Sequence, residues 1–237
     1  MFGMKMFRQK RSRGEGEKPF WISYSDMMTA LMVLFLVSVT VALLAVTNEA
    51  SVAEQAKAER EKEIQQLLDK IRKTAKDFPG VAINGNTIDF GELVRFEKNS
   101  HKLSSDQARI LREYIPSVLQ VARDPLGQKW LRQVVVEGFA DRRGTYLHNL
   151  NLSLQRSQRV LCTLLASADP EEAPLSGDDK KLVSKIFLVG GYSFNSLKET
   201  HEESRRVEIK LEFLELNEPH PKSPEFKLDD NQMCPLD

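Results

Sequence analysis

The sequence predicts a single N-terminal transmembrane helix, a helical stalk and an α+β domain beyond the membrane. Three observations predict it. An uncharged apolar run extends from Met27 to Val46, a charge-dense stretch without Gly or Pro follows from Asn48 to Asp77, and strand-like and helix-like segments then alternate to about residue 216. With 237 residues there is room for one compact domain plus a membrane segment and connectors. A formal net charge of +0 gives no reason to expect nucleic acid as a partner.

Residues 1–19 read as a cytoplasmic N-terminus. Lys5, Arg8, Lys10, Arg11, Arg13 and Lys18 outnumber Glu15 and Glu17, so the positive-inside rule holds this end in the cytoplasm and sends everything after Val46 outward. Residues 20–46 form the membrane helix, whose Met27–Val46 core, at about 1.5 Å per residue, matches a hydrocarbon thickness of about 30 Å. Pro19 suits a helix start, and Trp21 and Tyr24 suit the interfacial aromatic belt. A cleaved signal peptide normally has a shorter apolar region and no aspartate at its head. Here Asp26 stands at that head. A carboxylate at membrane depth is costly and marks an ion or proton path, or else snorkels back to water. Thr29, three residues on, shares its helical face and can join it in an ion or water site.

Residues 47–79 read as a helical linker reaching about 45 Å. Ile64, Leu67, Ile71, Thr74 and Phe78 alternate at three and four, a short seam suited to helix pairing in a dimer. Residues 80–216 form the domain. Asn84-Gly85-Asn86 is a turn before the strand Thr87–Phe90, and Ser105 and Asp106 can cap a helix striped by Ala108, Leu111, Ile115, Val118, Leu119 and Ala122. Asp124-Pro125-Leu126-Gly127 stops it; Leu131–Phe139 is a buried strand, Tyr146–Ala166 a second helix, and Ile186–Val189 and Val207–Phe213 are strands. Residues 217–237 are a Pro-containing tail expected to be loosely ordered. Cys162 and Cys234 both fall on the oxidising side, where they can pair within the chain or between chains.

The chemistry of the domain concentrates at Glu137-Gly138-Phe139-Ala140-Asp141-Arg142-Arg143-Gly144, where a strand gives way to a helix. On that helix Asn149, Ser153 and Arg156 form a polar stripe, with Leu150, Leu154 and Leu161 marking the expected buried side. An acid, an amide and a guanidinium facing one pocket suit a zwitterionic ligand; the same residues can instead make an internal Asp141–Arg156 salt bridge. Enzyme classes fare poorly, since the chain has no Walker loop, no G-x-S-x-G and no H-E-x-x-H. His101, His148, His201 and His220 lack metal-ligand spacing, and Asp178-Asp179 and Asp229-Asp230 read as solvated loop acids, so no metal is assigned.

Two resemblances add to this. Trp21-Ile22-Ser23-Tyr24-Ser25-Asp26-Met27-Met28-Thr29-Ala30-Leu31-Met32 resembles the signature of flagellar stator (MotB-like) B subunits, which implies that Asp26 carries the ion, H+ or Na+, with no other cofactor. Gly138-Phe139-Ala140-Asp141, Asn149, Leu152-Ser153, Arg156 and Arg205-Arg206-Val207-Glu208 resemble the OmpA-like peptidoglycan-binding domain, over about Asn84–Glu215. That resemblance implies a periplasmic domain whose Asp141 and Arg156, fifteen residues apart, clasp diaminopimelate, with Leu152 lining the site and Arg205 or Arg206 as further anion contacts. Phe139 and Ala140 depart from His and Thr of that pattern, and Ser204 departs from Asn. The wording Met27–Leu36 resembles the B subunits of Zorya anti-phage defence systems more closely than a flagellar stator, which would also show an amphipathic plug after the membrane. The implied partners are a ring of multi-span A subunits (MotA-like or ZorA-like), a second copy of the chain as a homodimer, the inner membrane and peptidoglycan. Alternatives are a flagellar stator B subunit, a passive peptidoglycan tether, and a relative of the energy-transducing TolR and ExbD proteins, which lack the Asp141, Asn149, Arg156 pattern.

Overall fold

The computed structural model describes residues 20–165, 174–221 and 234–236; the basic N-terminus, the Trp21 side chain and most of the Pro-containing tail lie outside the described residues. The chain divides into two compact units, Met1–Gln55 and Ala56–Asp237, and helix α1 (Phe20–Ala75) contributes to both. In the first unit every side chain from Tyr24 to Ala50 is exposed. A helix that is apolar all round and uncovered by its own chain belongs in lipid or against other helices. Among the described residues α1 is the one helix long and apolar enough to cross a membrane.

In the second unit α1 is not a free stalk. Ile64, Leu67 and Ile71 of the predicted seam, with Leu68 and Ala75, are buried in the domain core, and Phe78 meets Tyr114 edge-on at 5.2 Å. Polar ties follow the apolar ones. Arg60 Nε donates to the Leu214 carbonyl at 2.8 Å, Glu63 accepts from Lys129 and from the Trp130 indole, and Lys70 pairs with Asp124. The compact unit placed at residues 80–216 from sequence therefore takes in the helix from Ala56, because its apolar face finds its partner in the chain's own domain.

The domain is built on strands β1 (Ala82–Asn84), β2 (Thr87–Asp89), β3 (Leu131–Gly138), β4 (Phe187–Gly191) and β5 (Val207–Phe213), in the order β1-β2-β5-β3-β4. Only β3 and β4 run parallel, with Val134 opposite Phe187 and Gly138 opposite Gly191; the other pairs are antiparallel. The parallel pair needs a crossover, supplied by helices α4 (Tyr146–Leu165) and α5 (Gly177–Ile186). Helix α2 (Ser105–Arg123) buries Leu111, Ile115, Val118 and Leu119 as its spacing predicts. Its N-cap is Ser104 rather than Ser105 or Asp106, in a capping box with Gln107. Asp124 ends it and caps the short helix α3 (Pro125–Trp130), which the sequence reading took as a stop.

Asp178 and Asp179, expected as solvated loop acids, open helix α5. Ser176 accepts from Asp179 N–H as an N-cap, and Asp179 pairs with Arg123 at 2.7 Å. The one-turn helix α6 (His201–Ser204) likewise opens on a capping box, from Thr200 to Glu203.

Helix α4 buries its polar stripe more fully than two of the three leucines expected on the buried side, Leu161 alone packing on the core as expected. Asn149, Ser153, Arg156 and Ser157 are buried, while Leu154 is 42% exposed. Close approach explains it: a Cβ on Gly138 would lie 1.9 Å from the Ser153 carbonyl oxygen, and one on Gly191 only 2.8 Å from Leu154 N. Glycine at both strand positions lets the helix backbone come so near. Ser153 turns this to use, its Oγ accepting from Ser193 N–H at 3.0 Å.

Cys162 on α4 and Cys234 are joined in a disulfide, with Cα atoms 5.4 Å apart and a sequence separation of 72. Closing a loop of that length removes unfolded-state entropy worth about 4 kcal/mol in the chain-entropy model, and about 2–4 kcal/mol in typical practice. Reduction is therefore expected to lower the melting temperature of the full chain by several degrees, read by thermal denaturation with and without dithiothreitol. A Cys162→Ser, Cys234→Ser variant should match the reduced protein.

Candidate functional site

At the carboxyl end of β3 the chain turns through Phe139, Ala140 and Asp141 into the loop before α4. Asn149 fixes that loop: its side-chain amide donates to the Arg143 carbonyl at 2.9 Å, over Gly144, whose φ of +101° favours glycine. The result is a cavity of about 280 Å³ lined by Lys98, Asn99, Asp141, Arg143, Gly144, His148, Asn149, Leu152, Arg156 and Arg205. Asp141, Asn149, Leu152, Arg156 and Arg205, named from sequence, thus converge on one cavity. Arg206 does not join them. Its guanidinium lies over the Phe139 ring at 4.2 Å and binds Glu208 at 2.6 Å and the Ser196 carbonyl at 3.1 Å. Phe139 stacks in turn on Tyr192, at 5.4 Å. The departure from histidine at Phe139 is therefore absorbed by a structural stack in which Arg206 supports the sheet.

The internal Asp141–Arg156 salt bridge is not formed. Asp141 is buried and paired with Arg143 at 2.5 Å and Arg205 at 3.3 Å. Burial alone would raise its carboxyl, but hydrogen bonds from the Arg143 side chain and backbone and from Arg205 outweigh that and hold it well below the usual carboxylate range. Arg156 is 0% exposed. It donates to the carbonyls of Phe139 (2.7 Å), Ser100 (3.0 Å) and Glu97 (3.1 Å), and lies over the Phe96 ring at 5.1 Å. Burial first, and neighbouring Arg205 second, push its guanidinium down to about 10, so it stays charged at neutral pH. Arg205 is anchored by the Phe96 carbonyl at 2.9 Å and by Glu202 at 3.2 Å.

Sequence reasoning missed Lys98, Asn99, Arg143 and His148. His148 Nε2 and Asn99 Oδ1 lie 2.7 Å apart across the cavity mouth, and Asn99 holds a φ of +56°. Arg143 had a readable signal, since a cation two residues after an aspartate and just before a turn glycine can fold back on it.

In the other unit, Thr29 hydrogen-bonds backward along α1, to the Ser25 carbonyl at 3.0 Å and the Asp26 carbonyl at 2.9 Å. The Asp26 carboxylate makes no hydrogen bond or ion pair with any described residue.

Comparison with known proteins bears on both units. The chain is 41% identical over 228 residues to the Zorya protein ZorB of Escherichia coli O139:H28 (strain E24377A / ETEC), covering 95% of this chain and 93% of that one. The chain belongs to the ZorB family. Within it, residues 5–57 match the family model described as membrane MotB of the proton-channel complex MotA/MotB, a span that takes in Asp26 and the residues just after the apolar run. Among solved structures, similar chains include the cell wall anchor of the type VI secretion system of Pseudomonas aeruginosa, at 22% identity, TM-score 0.39, and 62% and 97% of the two chains. The periplasmic domain of Helicobacter pylori MotB is another, at 14% identity, TM-score 0.39, and 58% and 83% coverage.

Proposed function

We propose that this ZorB-family chain is the wall-anchored B subunit of an ion-driven inner-membrane motor acting in anti-phage defence. Asp26 takes up and releases the H+ or Na+, and the domain binds peptidoglycan through the Asp141 cavity. The N-terminus is cytoplasmic, the domain periplasmic, and two copies sit within a ring of multi-span A subunits. The observation that carries this reading is an uncovered carboxylate on an apolar helix in a chain 41% identical to ZorB. One carboxylate without a conduit cannot move an ion across a bilayer alone, so the helix needs channel-forming neighbours. The family model matched by residues 5–57 is likewise named for a two-protein proton channel. A motor that pushes on a partner also needs a fixed point, and the cavity supplies one.

The cavity has the chemistry for a zwitterionic peptide stem, one anionic wall facing several cationic ones. Because the Asp141 carboxyl is held below the usual range, its charge is present at all pH values above about 4. The sign follows from linkage: a depressed folded-state value contributes throughout the neutral range and is lost only as pH falls through that lowered value. In co-sedimentation of the detergent-solubilised full chain with purified sacculi, Asp141→Asn is expected to weaken binding about tenfold or more, and wild-type binding should change little between pH 8 and pH 5. Undiminished sedimentation of Asp141→Asn would remove the cavity from the wall contact.

A further inference from the structure

Two guanidinium groups share the Asp141 carboxylate, and they are held very differently. Arg205 is buried and fixed by the Phe96 carbonyl and Glu202 as well as by Asp141. The Arg143 side chain is 42% exposed, and its guanidinium bonds only to Asp141 among the described residues, through Nε at 3.2 Å and Nη2 at 2.5 Å. Its backbone is secured separately, the N–H donating to Asp141 Oδ1 at 3.0 Å and the carbonyl accepting from Asn149. The side chain can therefore swing away without disturbing the loop, since water reaches the Arg143 end of the pair while Arg205 stays on the buried Asp141 end.

The charge balance of the cavity gives that freedom a consequence. Lys98, Arg143, Arg156 and Arg205 face a single carboxylate, so a ligand carboxylate is welcome, whereas a ligand ammonium finds Asp141 already taken. We propose that Arg143 is a built-in occupant of the ammonium subsite, exchanged only by a ligand carrying an ammonium group beside a carboxylate. The ammonium replaces Arg143 on Asp141, and the released guanidinium turns to the adjacent carboxylate, which it can grip in bidentate fashion. A ligand with an ammonium alone evicts Arg143 and gives it nothing in return. This rests on the peptidoglycan reading above and makes Arg143 the residue that separates diaminopimelate stems from lysine stems.

Titration calorimetry on the full chain in detergent, with synthetic alanyl-γ-glutamyl-diaminopimelate and alanyl-γ-glutamyl-lysine tripeptides, tests it. Wild type is expected to favour the diaminopimelate peptide. In Arg143→Gln the lysine peptide should bind about three- to tenfold tighter and the preference should shrink. Arg143→Lys, which keeps charge but not the fork, should fall between. Arg205 still pairs with Asp141 in both variants, so their melting temperatures should stay near wild type. An unchanged or weaker lysine-peptide affinity in Arg143→Gln overturns the exchange. Wild type binding neither peptide would instead overturn the cavity's role in wall recognition.

Discussion

Replacing Asp26 by Asn is expected to abolish phage protection while leaving the amount of the chain in the membrane unchanged. The substitution is nearly isosteric, and the Asp26 carboxylate bonds to no described residue, so no side-chain contact among the described residues is lost. Removing a charge from an apolar helix also lowers the cost of inserting it. What disappears is the titratable, ion-attracting group. One charge crossing 100 mV is worth about 2.3 kcal/mol, a free energy that an amide, neither ionising nor binding a cation strongly, cannot couple to a partner. Plaque counts on cells carrying the complete defence locus, at matched levels by membrane-fraction immunoblot, measure the outcome. A passive tether needs only the helix and the domain, so protection by Asp26→Asn at the wild-type level would leave the tether as the better account. Thr29→Ala is the companion variant. The Thr29 hydroxyl donates to the Ser25 and Asp26 carbonyls, and its oxygen keeps its lone pairs for an ion or water beside Asp26.

The periodic features were legible in sequence and the choice of partner was not. The apolar run, the α2 stripe, the β3 strand and the spacing of Asp141 to Arg156 each follow from local pattern, and each stands where the pattern put it. The seam on α1 shows where this stops. Two heptads say that a helix face wants covering, but a second copy and the chain's own domain satisfy that demand equally, and here Ile64, Leu67 and Ile71 went to the domain. On α4, hydropathy favoured the leucine side. Leu161 does pack on the core, but Ser153 and Ser157 are buried where Gly138 and Gly191 bring the strands against the helix backbone. Arg143 stood in the segment singled out from sequence without a role of its own, and Lys98 lies some forty residues upstream; only the fold brings them to the cavity that Asp141 opens.

Arg156→Ala is expected to cost about 3–5 kcal/mol of stability and to lower the melting temperature by about 10 °C or more, before any effect on wall binding is considered. The side chain is wholly buried, and its guanidinium donates to the carbonyls of Phe139, Ser100 and Glu97, the first just past the end of β3 and the other two in the loop before α2. Alanine leaves the buried Phe139 carbonyl without a donor, at about 1–3 kcal/mol, frees the part-buried Ser100 and Glu97 carbonyls, and opens a void under the Phe96 ring. Burial disfavours the charge itself at every pH below about 10, and the three carbonyls with nearby Asp141 offset that cost. Loss of sacculus binding by this variant would therefore not separate a ligand contact from a collapsed cavity. Arg156→Lys can: one ammonium reaches one or two of the carbonyls and restores part of the stability, yet lacks the fork that would hold a ligand carboxylate in bidentate fashion. If Arg156 is chiefly a strut that shapes the cavity, wall affinity across the Ala and Lys variants should track melting temperature. If it also grips the ligand, Arg156→Lys should bind more weakly than its stability predicts. An Arg156→Ala protein melting within about 2 °C of wild type, by differential scanning fluorimetry of the full chain in detergent, would exclude the strut.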